Sequence, residues 1–147
     1  MLKRTKIVSL LEADQPIEKV LVKGWVRTRR DAKDFSFIEL NDGSSLKNIQ
    51  IIANNNLSNY EEVKKITTGS SLAVTGALVE SKGGNQKYEI VAGEIEIYSL
   101  APDDFPLQKK KHTDEYLRTI AHLRPRTNKY GAAFRVRSEL SFAIHLS

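Results

Sequence analysis

The stretch that decides the fold runs Val20-Leu-Val-Lys-Gly-Trp-Val-Arg-Thr-Arg-Arg-Asp31 and is followed closely by Phe35-Ser-Phe-Ile-Glu-Leu-Asn-Asp-Gly43. In the first segment Val20, Val22, Val26 and Thr28 share one parity, while Lys23, Trp25, Arg27 and Arg29 share the other. A period of two with one apolar side is the pattern of a strand that covers a core with one face. Gly24 interrupts it and is expected to bend it. In the second segment Ser36, Ile38 and Leu40 alternate with Phe35, Phe37 and Glu39, and Asn41-Asp-Gly43 turns the chain. A third strand follows from Lys47 to Ala53, with Ile49 and Ile51 on one side and Asn48, Gln50 and Ile52 on the other.

Upstream of these strands, Thr5 to Glu12 has apolar residues at helical spacing behind Thr5 as a cap, with Pro16 beyond it. Past the third strand, Asn54-Asn-Asn56 ends the sheet run. Ser58-Asn-Tyr-Glu61 then has the form of a capping box and opens a helix through Ile66, which stops before Gly69. Ser71 to Glu80 reads as a fourth strand, Ser81-Lys-Gly-Gly-Asn85 as a hairpin turn and Lys87 to Tyr98 as a fifth strand. In the fifth, the apolar parity passes from Tyr88 and Ile90 to Ile95 and Ile97 across Gly93, as a bulge requires. The order β-β-β-α-β-β is that of the OB-fold, a five-stranded Greek-key barrel that binds oligonucleotides. The expected class is therefore mainly β: an OB-fold barrel with a short leading helix and a helix between strands three and four, over residues 1–101. A basic, irregular hinge bracketed by Pro106 and Pro125 follows over 102–128, and then a C-terminal helix over 129–147.

Bulk properties set limits on function. The 147 residues are 40% hydrophobic and 28% charged, the balance of an ordinary water-soluble domain. There is no cysteine, which removes disulfides, thiolate zinc sites and cysteine nucleophiles together and fits the cytoplasm. No run is long and apolar enough for a membrane helix, so no membrane partner is expected. The formal charge is +5, but residues 108–137 alone carry +7, a placement that suits a polyanionic partner.

No catalytic constellation is visible. His112, His122 and His145 are scattered without carboxylate or cysteine at ligand spacing, so neither a metal site nor a catalytic residue is expected. Binding chemistry is better represented. Phe35 and Phe37 point away from the core parity, and exposed rings on a sheet are platforms for unpaired bases; the alternative is that the leading helix or the tail covers one of them. Gln50, on the outward parity of the next strand, carries an amide that can both donate to and accept from a base edge. Arg27, Arg29 and Arg30 end the first strand with charge for phosphates and a planar cation for stacking. Trp25 suits either barrel-edge packing or a base contact.

Three segments carry a family resemblance: Gly24 to Asp31, Phe37-Ile-Glu-Leu-Asn-Asp-Gly43 and Ile49-Gln-Ile51. Together they resemble the anticodon domain of the class IIb aspartyl-, asparaginyl- and lysyl-tRNA synthetases. The junction His122-Leu-Arg-Pro-Arg-Thr-Asn128 resembles the asparaginyl members of bacterial or organellar type. The resemblance implies that Phe37 stacks on an anticodon base, that Gln50 reads the central uridine, that Arg30 lies at the anticodon and that Glu89 reads the first base. Lys109, Lys110 and Lys111, with Arg27 and Arg29, are candidates for phosphate contacts. The segment from Gly131 to His145 resembles the start of class II motif 1, the helix at a homodimer interface. Motifs 2 and 3, which hold ATP, magnesium and asparagine, have no counterpart here, so no cofactor and no activity are expected of this chain alone. The partner implied is tRNA with the asparagine anticodon GUU. The rival readings are a free-standing single-strand-binding OB module and a fragment of an aspartyl-type enzyme.

Overall fold

A computed structural model describes residues 1–147. Its elements are α1 (Ile7–Leu11), β1 (Ile17–Asp31), β2 (Phe35–Asn41), β3 (Ile49–Asn54), α2 (Tyr60–Val63), β4 (Ser71–Glu80), β5 (Tyr88–Ser99), α3 (Asp114–Thr119), a 3₁₀ turn (Arg124–Arg126) and α4 (Asn128–Leu146). The five strands close into a barrel in the order β1-β2-β3-β5-β4, so the OB-fold expectation is met. All neighbours are antiparallel except β3 and β5, which run parallel through Ile51↔Ile90 and Ile52↔Val91.

The core is the inward parity of these strands: Val20, Val22 and Val26 from β1, Ile38 and Leu40 from β2, Ile49 and Ile51 from β3, Leu72, Val74 and Leu78 from β4, and Tyr88, Ile90 and Ile95 from β5. Ile7 and Leu10 of α1 and Val63 and Ile66 around α2 join it. One strand, β1, pairs with both β2 and β4, and it changes partner at Trp25, opposite Asn41 on one side and Ser71 on the other. At that corner a Cβ on Gly24 would lie 2.5 Å from the Asn41 carbonyl oxygen, so the bend expected there is also a close approach of two backbones. The expected bulge in β5 is present: Thr75 pairs with Glu94 and Gly76 with Ala92, which leaves Gly93 as the extra residue.

Four local expectations are corrected. Thr5 does not cap α1; the helix starts after Lys6, and its free amides are met from the β2–β3 turn, Ile7 N donating to Asp42 Oδ2 at 3.0 Å and Val8 N to Ser44 Oγ at 3.0 Å. A long-range cap was not visible in the local pattern. Ser58 forms no capping box: α2 is a single turn behind Asn59, and the Asn59 side chain instead donates to Ile95 O at 2.8 Å. The parity assigned across β1 breaks at a bulge, because Val26 pairs with Leu40 and Thr28 with Glu39, with Arg27 as the extra residue between them. The stretch between Pro106 and Pro125 is not irregular throughout, since Thr113 caps α3 through Tyr116 N at 3.2 Å, with Asp114 and Glu115 in its first turn.

The chain divides into two compact units, Met1–Lys109 and Lys110–Ser147. The first includes the barrel and the segment just after it. Thr67 Oγ1 donates to Ala101 O, Ala101 N donates to Ser70 Oγ, and the Phe105 ring packs on Gly69 so closely that a Cβ there would be 2.7 Å away. In the second unit Lys129 pairs with Asp114 at 2.7 Å, and the Arg124 guanidinium lies 4.7 Å from the Tyr130 ring centre. Thr127 caps α4, along which Val136, Leu140, Phe142, Ile144 and Leu146 are exposed. No helix is long and apolar enough to cross a membrane.

Candidate nucleic-acid interface

The register around the barrel assembles the sequence candidates into two neighbouring rows on the outer face. Paired residues on adjacent strands point to the same side of a sheet. Arg30 pairs with Phe37, Phe37 with Ile52, and Ile52 with Val91, which makes a row of stacking and apolar surface. One step along, Thr28 pairs with Glu39 and Glu39 with Gln50, a row of hydrogen-bonding groups that ends at Glu89. The bulge at Arg27 creates this arrangement. Without the shift the pairing Val26↔Leu40 would continue to Arg29↔Phe37, so the bulge decides that Arg30 stands beside Phe37 and sends Arg29 to the core-side parity.

In the first row the Arg30 guanidinium lies 4.9 Å over the Phe37 ring, and the Phe35 ring meets Phe37 edge-on at 4.9 Å and 87°. Both rings are half-buried and pack against each other. An edge-to-face pair with a cation over one ring is a favourable arrangement of the three planar groups and leaves a surface of the kind that suits stacking.

In the second row Thr28 Oγ1 donates to Glu39 Oε2 at 2.9 Å, and Gln50 Nε2 donates to Glu89 Oε2 at 2.9 Å. Ser81 Oγ donates to the same Glu89 oxygen at 3.1 Å. Glu89 is only 5% exposed, whereas a simple alternation with Tyr88 and Ile90 would put it in solvent; the β4–β5 loop folds over it. Gln86 of that loop splices it to β3: Gln50 N donates to Gln86 Oε1 at 3.3 Å, and Gln86 Nε2 donates to Asn48 O at 3.4 Å. Ser81 and Gln86 were not singled out in the sequence. The run Ser81-Lys-Gly-Gly reads as a hairpin, and nothing local announces that Gln86 on its far side reaches β3.

The remaining candidates separate. Arg29 sits on the core-side parity opposite Ile38; its Nε donates to Ile66 O at 2.8 Å and its Nη1 pairs with Asp31. Burial pushes the Asp31 carboxyl up, but hydrogen bonds from Ser36 and Arg29 and the Arg29 charge outweigh it and hold the group below the ordinary carboxylate range. Arg27 is the bulged residue itself. Lys109, Lys110 and Lys111 are exposed where the first unit gives way to the second. Trp25 is 44% exposed at the corner of β1.

A closed five-stranded barrel with a ring platform beside hydrogen-bonding side chains defines a nucleic-acid-binding OB-fold, and the comparisons agree: residues 20–98 match the family described as the OB-fold nucleic acid binding domain. The chain belongs to that family. It is also similar, over nearly all its length, to asparagine–tRNA ligases. It is 57% identical over 145 residues to that of Oleidesulfovibrio alaskensis and 53% identical over 142 residues to that of Geotalea uraniireducens. These alignments cover 98% and 97% of this chain but 32% and 31% of the relatives, so the chain spans about a third of their length. Among solved structures, asparaginyl-tRNA synthetase from Pyrococcus horikoshii complexed with asparaginyl-adenylate superposes with a TM-score of 0.82 at 25% identity, covering 97% of this chain and 33% of that one.

Proposed function

We propose that this barrel is the anticodon-binding part of an asparagine–tRNA ligase and that it reads the anticodon GUU across the outer face of β1, β2, β3 and the start of β5. The observation that carries the reading is the adjacency of the Arg30–Phe37–Phe35 platform to the Gln50–Glu89 pair. Unpaired loop bases are recognised by stacking on planar side chains and by hydrogen bonds to their exposed edges, and both kinds of group stand on neighbouring rows here. Phe37 stacks on an anticodon base with Arg30 beside it, Gln50 reads the central uridine and Glu89 serves the first base. Lys109, Lys110 and Lys111 contact backbone phosphate without regard to sequence.

On this reading the whole ligase works in the cytoplasm and joins asparagine to its tRNA with ATP and magnesium. That chemistry belongs to the two thirds of the relatives' length outside this chain, and α4 contributes to a homodimer. Titration of the chain with RNA stem-loops tests the proposal. The GUU loop is expected to bind more tightly than a scrambled loop on the same stem, and Phe37→Ala to lose about 1–3 kcal/mol of that affinity, the worth of one base stack. Equal affinity for both loops would favour a sequence-tolerant single-strand binder instead.

A further inference from the structure

The hydrogen bond between Gln50 and Glu89 carries more than proximity. A carboxylate can only accept, so the Gln50 group facing Glu89 Oε2 at 2.9 Å has to be the NH₂. The amide is thereby fixed in one of its two orientations, and its carbonyl Oε1 is left directed away from Glu89. Ser81 donates to the same carboxylate oxygen at 3.1 Å, and the residue is almost wholly buried, so the acceptor that sets the amide is itself held in place. The backbone beneath is held as well, since Gln50 N donates to the Gln86 side chain.

We infer that Glu89 is a positioning residue for the central base as well as a neighbour of the first: it locks the Gln50 amide with its acceptor outward. This rests on the functional reading above and deepens it. An outward acceptor matches a base that presents an imino N–H. Uridine does so through N3–H, whereas cytidine has a bare acceptor at N3. A freely rotating glutamine would turn over and donate to cytidine N3 at little cost. A locked one cannot, because its NH₂ is committed to a carboxylate inside the protein and turning it would set two acceptors face to face. Selectivity for uridine over cytidine thus resides in the Gln50–Glu89 pair rather than in Gln50 alone.

Glu89→Gln separates the two ideas. An amide at 89 can accept from Gln50 or donate to it, so either orientation of Gln50 is satisfied and the lock is gone while size and shape are kept. The full 147-residue chain and its variant are titrated with stem-loops carrying GUU or GCU, and the side-chain amide protons of Gln50 are followed by NMR without RNA. The wild type is expected to prefer GUU. Glu89→Gln is expected to cut that preference about tenfold, chiefly by binding GCU better, and to speed solvent exchange of the Gln50 amide. Gln50→Ala and the double variant should show the same residual preference as each other. A GUU-to-GCU ratio unchanged by Glu89→Gln, or Gln50 protons identical in both chains, overturns the lock. A wild type with no preference between the loops overturns the anticodon reading itself, together with the lock.

Discussion

Arg29 and Arg30 are adjacent in sequence and serve opposite sides of the barrel wall: Arg29 Nε donates to Ile66 O at 2.8 Å, while the Arg30 guanidinium lies 4.9 Å over the Phe37 ring. The pairings Arg29↔Ile38 and Arg30↔Phe37 set the two directions. Removing each side chain should therefore have different consequences. Arg29→Ala removes the side-chain donor to the Ile66 carbonyl, leaves the Asp31 carboxylate with Ser36 but without its cation, and is expected to cost about 1–3 kcal/mol of stability. Arg30→Ala should leave the unfolding midpoint nearly unchanged, weaken RNA binding and lower the salt slope of binding by about 0.7, as one lost cation does on a single strand. Urea unfolding and salt-dependent titration of both variants check the contrast.

Acid should act through Asp42 as well as through Asp31. Burial raises the Asp42 carboxyl, but hydrogen bonds from Ser44 and from Ile7 N, with the nearby charge of Arg4, outweigh that and hold it below its ordinary value. A carboxyl lowered in the folded state contributes stability that is fully present above its unfolded value of about 3.9 and is lost as pH falls through the folded value. Stability should accordingly fall below pH ~4, and Asp42→Asn should show a shallower fall, with lower stability at pH 7 because the α1 cap is weakened. Urea midpoints measured from pH 7 down to pH 2.5 decide this; equal slopes for both chains would show that Asp42 does not contribute to the acid sensitivity.

The corner at Gly24 tolerates no side chain. Gly24→Ala places its methyl carbon against the Asn41 carbonyl, 2.5 Å away in the present geometry, so β1 and β2 must separate where β1 changes partner. A loss of roughly 1–3 kcal/mol is expected, the range for an overpacked site that has to move backbone. Thermal unfolding of the variant measures it, and an unchanged midpoint would mean that the corner is slack.

Association should map to α4. Its exposed Val136, Leu140, Phe142, Ile144 and Leu146 form apolar surface that water does not favour. Sedimentation over a range of concentrations is expected to show self-association of the whole chain and a monomer for residues 1–109, with the barrel's melting temperature retained. A cut at Ala101 should cost stability, because it removes Phe105 from its place on Gly69. A strictly monomeric whole chain would remove α4 as an association surface.

How much of this was legible in the sequence depends on how local each feature is. Strand order, the Gly93 bulge and the outward Phe37 and Gln50 follow from period-two patterns and one parity switch, so they can be read along the chain. The bulge at Arg27 could not, because Arg27, Thr28, Arg29 and Arg30 are all polar and a parity change among them leaves no apolar trace. For the same reason the different placements of Arg29 and Arg30 emerged only with strand pairing. The caps on α1 come from Asp42 and Ser44, 35 and 36 residues away, and the link from Gln86 to Gln50 of β3 likewise spans 36 residues. Such contacts are products of closure, and closure is not a local property. Glu89 as part of the site was implied by family resemblance alone, since simple strand alternation does not predict its burial.

Chemical-shift mapping is the decisive check on whether RNA lies on the outer face of β1, β2 and β3, as proposed. A stem-loop with GUU is added to the isotopically labelled chain and the shift of each amide is followed to saturation. The largest changes are expected at Arg30, Phe37, Gln50, Ile52 and Glu89, with smaller ones at Lys109, Lys110 and Lys111. The opposite wall of the barrel holds a shallow groove lined by Lys23, Thr75, Glu94, Glu96 and Tyr98, and it should stay silent. Changes concentrated on that groove, or confined to the lysine run while the Phe37 and Gln50 rows remain unshifted, would contradict the account.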